Sequence, residues 1–537
     1  MRRSTKLKFF GKDALLGGLN VTDNPIIVPP NQMVVAQNVA ISQTLARKKR
    51  GGLERYSTGS YVGTASYPII ASGASSSASA IRGIIQYFRY GSSNGEPQED
   101  IFLHQDTKVW SIPNRTGVAI DRTGSLVLDD TTIPSYQVFE GILYWCESDQ
   151  TYRKWNGLPV VPGNAENAIA PSDGAGKYLR SHQGKMWMAG NTNFPFTLYY
   201  STTFDAEDWS SVAPSNGGSL NLDYDGDPEG ITAIFPPFQG RLYVATRRRI
   251  YEITGVDASD FQVRPITQGI GCISHNSVVA VPNDILFCSD RGVHSLKRLQ
   301  VSDQSEVTFL SRDIQKLWVS LLNRNLLNRT WATYDETTNS YILSCVGSGQ
   351  QKNNTTLVYN IEFGTWTTWS GIDARSLNLL LLSGQSYVLT GREDGEIAFI
   401  NPNRSFDLGN TSGFSYLFRT GKIYPADEID TQFRVHSVTI LASTTRISNI
   451  SVSWFLDSID GQRSGSKTVS LGDESSLLGS TFILGQSTLG FGQFIAKKVT
   501  VDQVGYNFQL QISASGTSDI EFYGFILEVS NEDEHFA

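Results

Sequence analysis

The side chains able to do acid–base, nucleophilic or metal chemistry are few and scattered in this 537-residue chain. Its histidines (His104, His182, His275, His294, His436 and His535) include no pair at the HExxH spacing, so no helix-borne metal site is expected. Gly91-Ser92-Ser93-Asn94-Gly95 has the letters of a nucleophile elbow, which needs a strand before the serine and a helix after it. The polar run Gly95-Glu96-Pro97-Gln98-Glu99-Asp100 follows instead, and a hairpin turn is expected. Asp223-Tyr224-Asp225-Gly226-Asp227 alternates carboxylates as calcium loops do, but Pro228 and Ile234 stand where an EF-hand needs glycine and glutamate. An acidic turn is expected there, with a looser metal site as the alternative. No Walker loop is present, and no carboxylate pair suggests glycoside hydrolysis. The expectation is a protein that is not an enzyme and needs no cofactor.

Cys146, Cys272, Cys288 and Cys345 form no CxxC pair, so zinc is not indicated. Cys146, Cys288 and Cys345 lie in apolar runs and read as buried thiols. Basic residues cluster twice, as Arg47-Lys48-Lys49-Arg50 and as Arg247-Arg248-Arg249. Such runs either contact nucleic acid and partner proteins or are solvated, ion-paired surface. All seven residues are candidates for a DNA- or partner-facing role, the second cluster because a hairpin turn would hold it at a domain rim. The whole chain is acidic, with a formal net charge of −8, unlike proteins that grip phosphates. DNA would slide past such a surface without being held.

Elements that could position these residues are strands. Apolar residues make up 40% and charged residues 18%, and Gly (49), Phe (27) and Tyr (22) are plentiful, a composition of strands joined by tight turns. The length suggests about two to four domains. An apolar triplet recurs: Ile101-Phe102-Leu103, Leu143-Tyr144-Trp145, Met186-Trp187-Met188, Leu242-Tyr243-Val244, Ile285-Leu286-Phe287, Tyr341-Ile342-Leu343 and Tyr387-Val388-Leu389. A second strand-like run follows most of them after a short polar linker, as Arg249–Ile253 follows the fourth. A repeat of roughly 40–50 residues holding several strands points to propeller blades. Central blade strands are covered on both faces, which explains continuous apolar triplets without alternation. Seven triplets imply about seven blades across residues 61–405.

Residues 406–537 alternate with period two, as in Phe433–Ile440, Ile450–Leu456, Tyr506–Ile512 and Ile520–Val529. That pattern predicts half-buried strands and a separate β-sandwich. Residues 312–322 place Ile314, Leu317, Trp318, Leu321 and Leu322 at helical spacing, with Ser311 as N-cap, and predict a helix packed between blades. Residues 71–80, rich in Ala and Ser, read as a flexible loop or linker. Ser201 to Trp209 has the flavour of a sialidase Asp-box without its spacing, and Trp366-Thr367-Thr368-Trp369 reads as blade packing. The N-terminal Met1 to Phe10 lacks the apolar stretch of a signal peptide, and no run approaches the ~18 residues of a membrane span. Synthesis in a reducing cytoplasm is expected.

Residues 1–60 form an extended arm with a recognisable motif. Gly17-Gly18-Leu19-Asn20, Asp23 and Pro25 are followed by Val28-Pro29-Pro30-Asn31-Gln32, Asn38-Val39 and Arg47-Lys48-Lys49-Arg50-Gly51-Gly52. This pattern resembles the N-terminal motif of phage tail hub or nozzle proteins, the tail "stabilisation" family of short-tailed phages. Ile520–Val529 is similar to the closing strand of such proteins, and so is Leu198-Tyr199-Tyr200-Ser201 with Asp208-Trp209 to one of their internal segments. The resemblance implies a virion tail protein: a homo-hexameric ring whose propellers surround a DNA-ejection channel. Its partners would be the head-to-tail adaptor and the tail fibres or spikes, with genomic DNA passing unbound. No active site carries over. The arm could complete a blade by strand addition or reach a neighbouring subunit, and blade completion is the expectation for residues near 17–56. The alternative function is a receptor- or glycan-binding propeller of the tail; a propeller hydrolase has no motif in its favour.

Overall fold

A computed structural model of the chain describes residues 6–11, 17–42, 45–56, 79–89, 98–113, 119–147, 151–157, 163–222, 230–299, 304–408, 413–425, 431–444, 448–457, 463–471, 493–516 and 519–531. Residues 71–78, Gly91–Gly95, Asp223–Asp227 and His535 lie outside the described residues.

The middle of the chain forms seven four-stranded antiparallel blades, at residues 81–121, 135–167, 178–221, 231–268, 279–309, 331–369 and 374–401. Each of the seven apolar triplets is the second strand of its blade. These strands are buried at every position in Lys185–Ala189, Leu242–Thr246 and Ser340–Val346, because adjacent blades cover both faces. The buried side chains form continuous clusters from blade to blade, with Trp145, Trp155, Trp187 and Trp331 among the largest.

Blades 7 and 1 close the circle through their innermost strands, Ala374–Leu382 and Ile81–Arg89. Ser376 Oγ donates to the Ile81 carbonyl at 2.8 Å, and Asn378 Nδ2 to that of Ile84 at 3.1 Å. Gln86 then exchanges two hydrogen bonds with the backbone of Leu381. Blade 7 draws three strands from its own stretch of chain. Its fourth is Gly52–Arg55 of the N-terminal arm, paired antiparallel with Ile397–Asn401, and Leu53 is fully buried in the shared core.

The C-terminal region is a two-sheet sandwich. One sheet orders Val39–Ile41, Arg47–Lys49, Ile520–Asn531, Phe433–Thr444 and Gln493–Gly505, with Lys6–Phe10 also pairing Ile520–Asn531. The other orders Met33–Gln37, Tyr416–Thr420, Phe508–Ala514, Ser448–Leu456 and Ser464–Leu471. Alternating burial along Ser448–Leu456 gives the expected wet and dry faces. Residues 1–60 are therefore not a unit of their own. Their strands are dealt out to both sandwich sheets and to blade 7, and Met33–Gln37 also meets the outer edge of blade 6 at Gln37 and Thr368.

The helix between blades 5 and 6 is shorter than its periodicity predicts: a 3₁₀ turn at Arg312–Ile314 leads into α-helix at Gln315–Ser320. Ser311 does not cap it. Its Oγ instead accepts from the Val293 backbone N–H at 2.9 Å, which ties the helix to blade 5. Ile314, Trp318 and Leu322 are buried as expected, but Leu321 is exposed. No helix among the described residues is long and apolar enough to cross a membrane.

Replacing Leu53 by Ala opens a cavity in the strand that completes blade 7. We expect a loss of about 2–5 kcal/mol in urea unfolding, as for other buried leucines.

Candidate functional site

The arm motif converges where blade 6, blade 7 and the sandwich meet. Asn38 is held there with positive φ, and its side-chain amide donates to Ser370 Oγ at 3.0 Å and to the Ser415 carbonyl at 2.7 Å. Its Oδ1 accepts from the Ser370 N–H and from Arg50 Nε. Arg50 is 1% exposed and uses all five of its donors. Nε reaches Asn38, Nη1 reaches the Gly51 carbonyl and Asp407 Oδ1, and Nη2 reaches the Ser370 carbonyl and Asp407 Oδ2 at 2.6 Å. Its guanidinium also lies 3.8 Å over the Phe414 ring. One cation thus joins the arm, the exit of blade 6 and the entry to the sandwich.

Two of the neighbouring basic residues are buried as well. Arg47 is buried, spans to the carbonyls of Gly17 and Asn31, and sits over Phe418; burial pushes its guanidinium down to about 9. Lys49 is buried and donates to the carbonyls of Ser405 and Gly516. Burial, and then the charge of Arg50, lowers the Lys49 ammonium to about 8 against the pull of Asp407 and Asp519. The outward-facing role expected for Arg47, Lys49 and Arg50 is corrected: their charges point into the protein, because the strand that carries them is inserted in the sandwich. Lys48 alone of the four is half-exposed.

The rest of the motif is explained by the same crossing. A side chain at Gly18 would collide with the backbone of Trp366, whose carbonyl accepts from the Leu19 N–H at 2.7 Å. Asn20 is buried and donates to Asp23 and Gln32, while Gln32 reaches Asp313 in the helical insertion.

Arg247, Arg248 and Arg249 lie elsewhere, in the turn between the second and third strands of blade 4. Arg247 makes a bidentate ion pair with Asp290 of the matching turn in blade 5, at 2.7 and 2.9 Å. It acts as a clamp between blades. Arg248 is exposed and Arg249 half-exposed.

These turns stand on the face where the propeller axis opens into a funnel of about 910 Å³. A second axial cavity of about 500 Å³ is lined by the innermost strands and shares Asn276 with the funnel. The sequence reading missed the funnel residues Arg82, Arg375, Arg329, Glu147 and His275. The signal was present in the apolar–Arg–small triplets Ile81-Arg82-Gly83, Leu179-Arg180-Ser181 and Ala374-Arg375-Ser376. Each lies on an innermost strand, and the first and third contain a β-bulge at the arginine.

The histidines near the axis are structural. His275 is sealed, accepting from the Ile234 N–H at Nδ1 and meeting Ser135 Oγ through Nε2 at 3.0 Å; burial holds it well below its ordinary value, so it is neutral. His104 is fully buried against Tyr136, with Nε2 3.4 Å from Glu147. Burial raises the Glu147 carboxyl, but His104, Trp145 and Arg153 outweigh it and hold it below its usual range. No group of three metal-ligating side chains occurs among the described residues. All four cysteines are buried free thiols.

No family model matches the chain, and no curated protein matches it. Solved structures do match. A streptogramin B lyase is 10% identical with a TM-score of 0.40, over 66% of this chain and 98% of the other. The Myceliophteria thermophila Cps50 (Swd1) β-propeller domain is 13% identical with a TM-score of 0.36, over 59% of this chain and 98% of its own. A chain of the mitotic checkpoint complex is 9% identical with a TM-score of 0.37, over 64% and 97% respectively. By its own ring of four-stranded sheets the chain is a β-propeller.

Two outcomes test the junction. Arg50→Ala leaves Asp407 and several carbonyls without their donor and should cost about 3–5 kcal/mol in urea unfolding, with Arg50→Lys recovering little because an ammonium cannot reproduce five directed bonds. For Lys49, the unfolded chain titrates near 10.5 and the folded chain near 8, so between these values the unfolded state holds the extra proton. Stability should therefore rise with pH across that window, and pH-resolved unfolding of Lys49→Met should show a smaller rise.

Proposed function

We propose that this chain is a non-enzymatic wall component of a bacteriophage tail, a nozzle or hub protein that lines the DNA-ejection channel and carries adaptor and fibre or spike proteins. The observation behind this reading is the position of the motif. Of the residues that carry the resemblance to tail hub proteins, Asn38 and Arg50 bond both the exit of blade 6 and the segment leading into the sandwich, while Gly18 packs the arm on blade 6 and Asn20 and Arg47 hold the arm's own turns. A motif with that duty suits an architectural protein.

Other features are compatible with wall material. In this reading the passage forms between the subunits of a ring, here taken as a hexamer. The net charge of −8 disfavours phosphate binding along it. The strand Lys6–Phe10 stands at a sheet edge, paired on one side only among the described residues, with Leu7 72% and Phe9 65% exposed. An unpaired apolar edge of this kind is suited to a neighbouring subunit.

Mass photometry and electron microscopy of the full chain at high concentration test the reading. The expected result is a closed ring that falls to monomers when Leu7 and Phe9 are both changed to Glu, with folding stability kept within about 0.5 kcal/mol. A wild-type chain that stays monomeric would overturn it.

A further inference from the structure

The funnel holds an arginine that the fold does not use. Arg375 is 3% exposed and lines the cavity, yet it makes no hydrogen bond or ion pair among the described residues, and its Nη1 is buried without a partner. Arg50 satisfies every donor, and the buried Arg47 still holds two carbonyls through Nη2, whereas Arg375 has no such bond. An unpaired cation that deep is costly to fold, and a site that keeps one is poised for an anion.

Its surroundings point the same way. Arg82 occupies the matching bulge on the adjacent blade, and bulges re-aim side chains. Arg82 and Arg329 are close enough for their charges to act on Arg375, and each keeps a buried Nε without an acceptor. The charge of Glu393 acts on Arg375 without hydrogen-bonding it; Glu393 accepts from the Asn353 N–H and faces Arg329, and Glu147 accepts from Trp145. Around these arginines the wall carries hydroxyls and amides, such as Thr131, Ser274 and Asn276, together with the carboxylates of Asp106, Asp129 and Asp130, all able to meet sugar hydroxyls.

We infer that the axial funnel binds a small polyhydroxylated anion, its carboxylate or phosphate held by Arg375 between Arg82 and Arg329 and its hydroxyls met by the polar wall. A planar guanidinium pairs with two oxygens of such a group, and the funnel volume accommodates one or a few sugar rings. This inference is independent of the tail reading.

Calorimetric titration of the full chain with glucuronate, glucose phosphate and glucose tests it. One or both acids should bind and raise the melting temperature, glucose should not, and the better acid identifies the oxyanion. Arg375→Met should weaken that acid by about tenfold or more while leaving the protein as stable as before or more so, since the lost charge had no partner. The inference fails if neither acid binds the wild-type chain at millimolar concentration, or if Arg375→Met binds as well. It also fails if Arg375→Met unfolds, because the guanidinium would then be a structural group.

Discussion

A circle of sheets is stable only when its ends meet, and here the last blade is completed by a strand borrowed from the other end of the chain. Each blade leaves two apolar faces for its neighbours to cover. Blade 7 would present an open edge beyond Ile397–Asn401 without Gly52–Arg55, and Leu53 would be missing from the core it shares with Leu377 and Val388. Ring closure therefore depends on where the arm runs, and the arm's path depends on the junction that holds it.

That junction relies on charged groups in places where apolar ones would cost less to bury. What a guanidinium adds is direction. Arg50 reaches acceptors on the arm, on the exit of blade 6 and on the segment leading into the sandwich, so their relative positions are set by bond geometry as well as by packing. Phe414 and Phe418 cover the cations from the sandwich side. The propeller and sandwich are further joined by a shared sheet running from blade 6 through Met33–Gln37 to Tyr416–Thr420 and beyond. Arg375 shows the opposite use of the same residue type: equal burial, no acceptor, and a place on an open cavity. Telling the two apart requires the partners of each side chain, because burial is the same in both.

Much of the fold was legible because it rests on local patterning. A strand covered on both faces has to be apolar at every position, so Met186-Trp187-Met188 and its six counterparts announce seven blades. A sandwich strand has to alternate, so Ile520–Val529 announces itself too. The helical insertion was visible in Ile314, Leu317 and Trp318, but its cap was misread because Ser311 spends its oxygen on a strand far back in the chain. The basic cluster at 47–50 was misassigned for a related reason: adjacent cations look solvated in one dimension, whereas Arg47, Lys49 and Arg50 find their acceptors at Asn31, Ser405 and Asp407, distant in sequence.

Hydrophobic periodicity by itself therefore determined the class of fold, the approximate number of blades and the strands of the sandwich, since burial on one face or two is written residue by residue. Tertiary structure alone decided which way each cation points, which strand closes the ring, and that Arg82, Arg329 and Arg375 share one cavity. Those outcomes depend on pairings between segments hundreds of residues apart, and no local pattern encodes which acceptor a long side chain will meet.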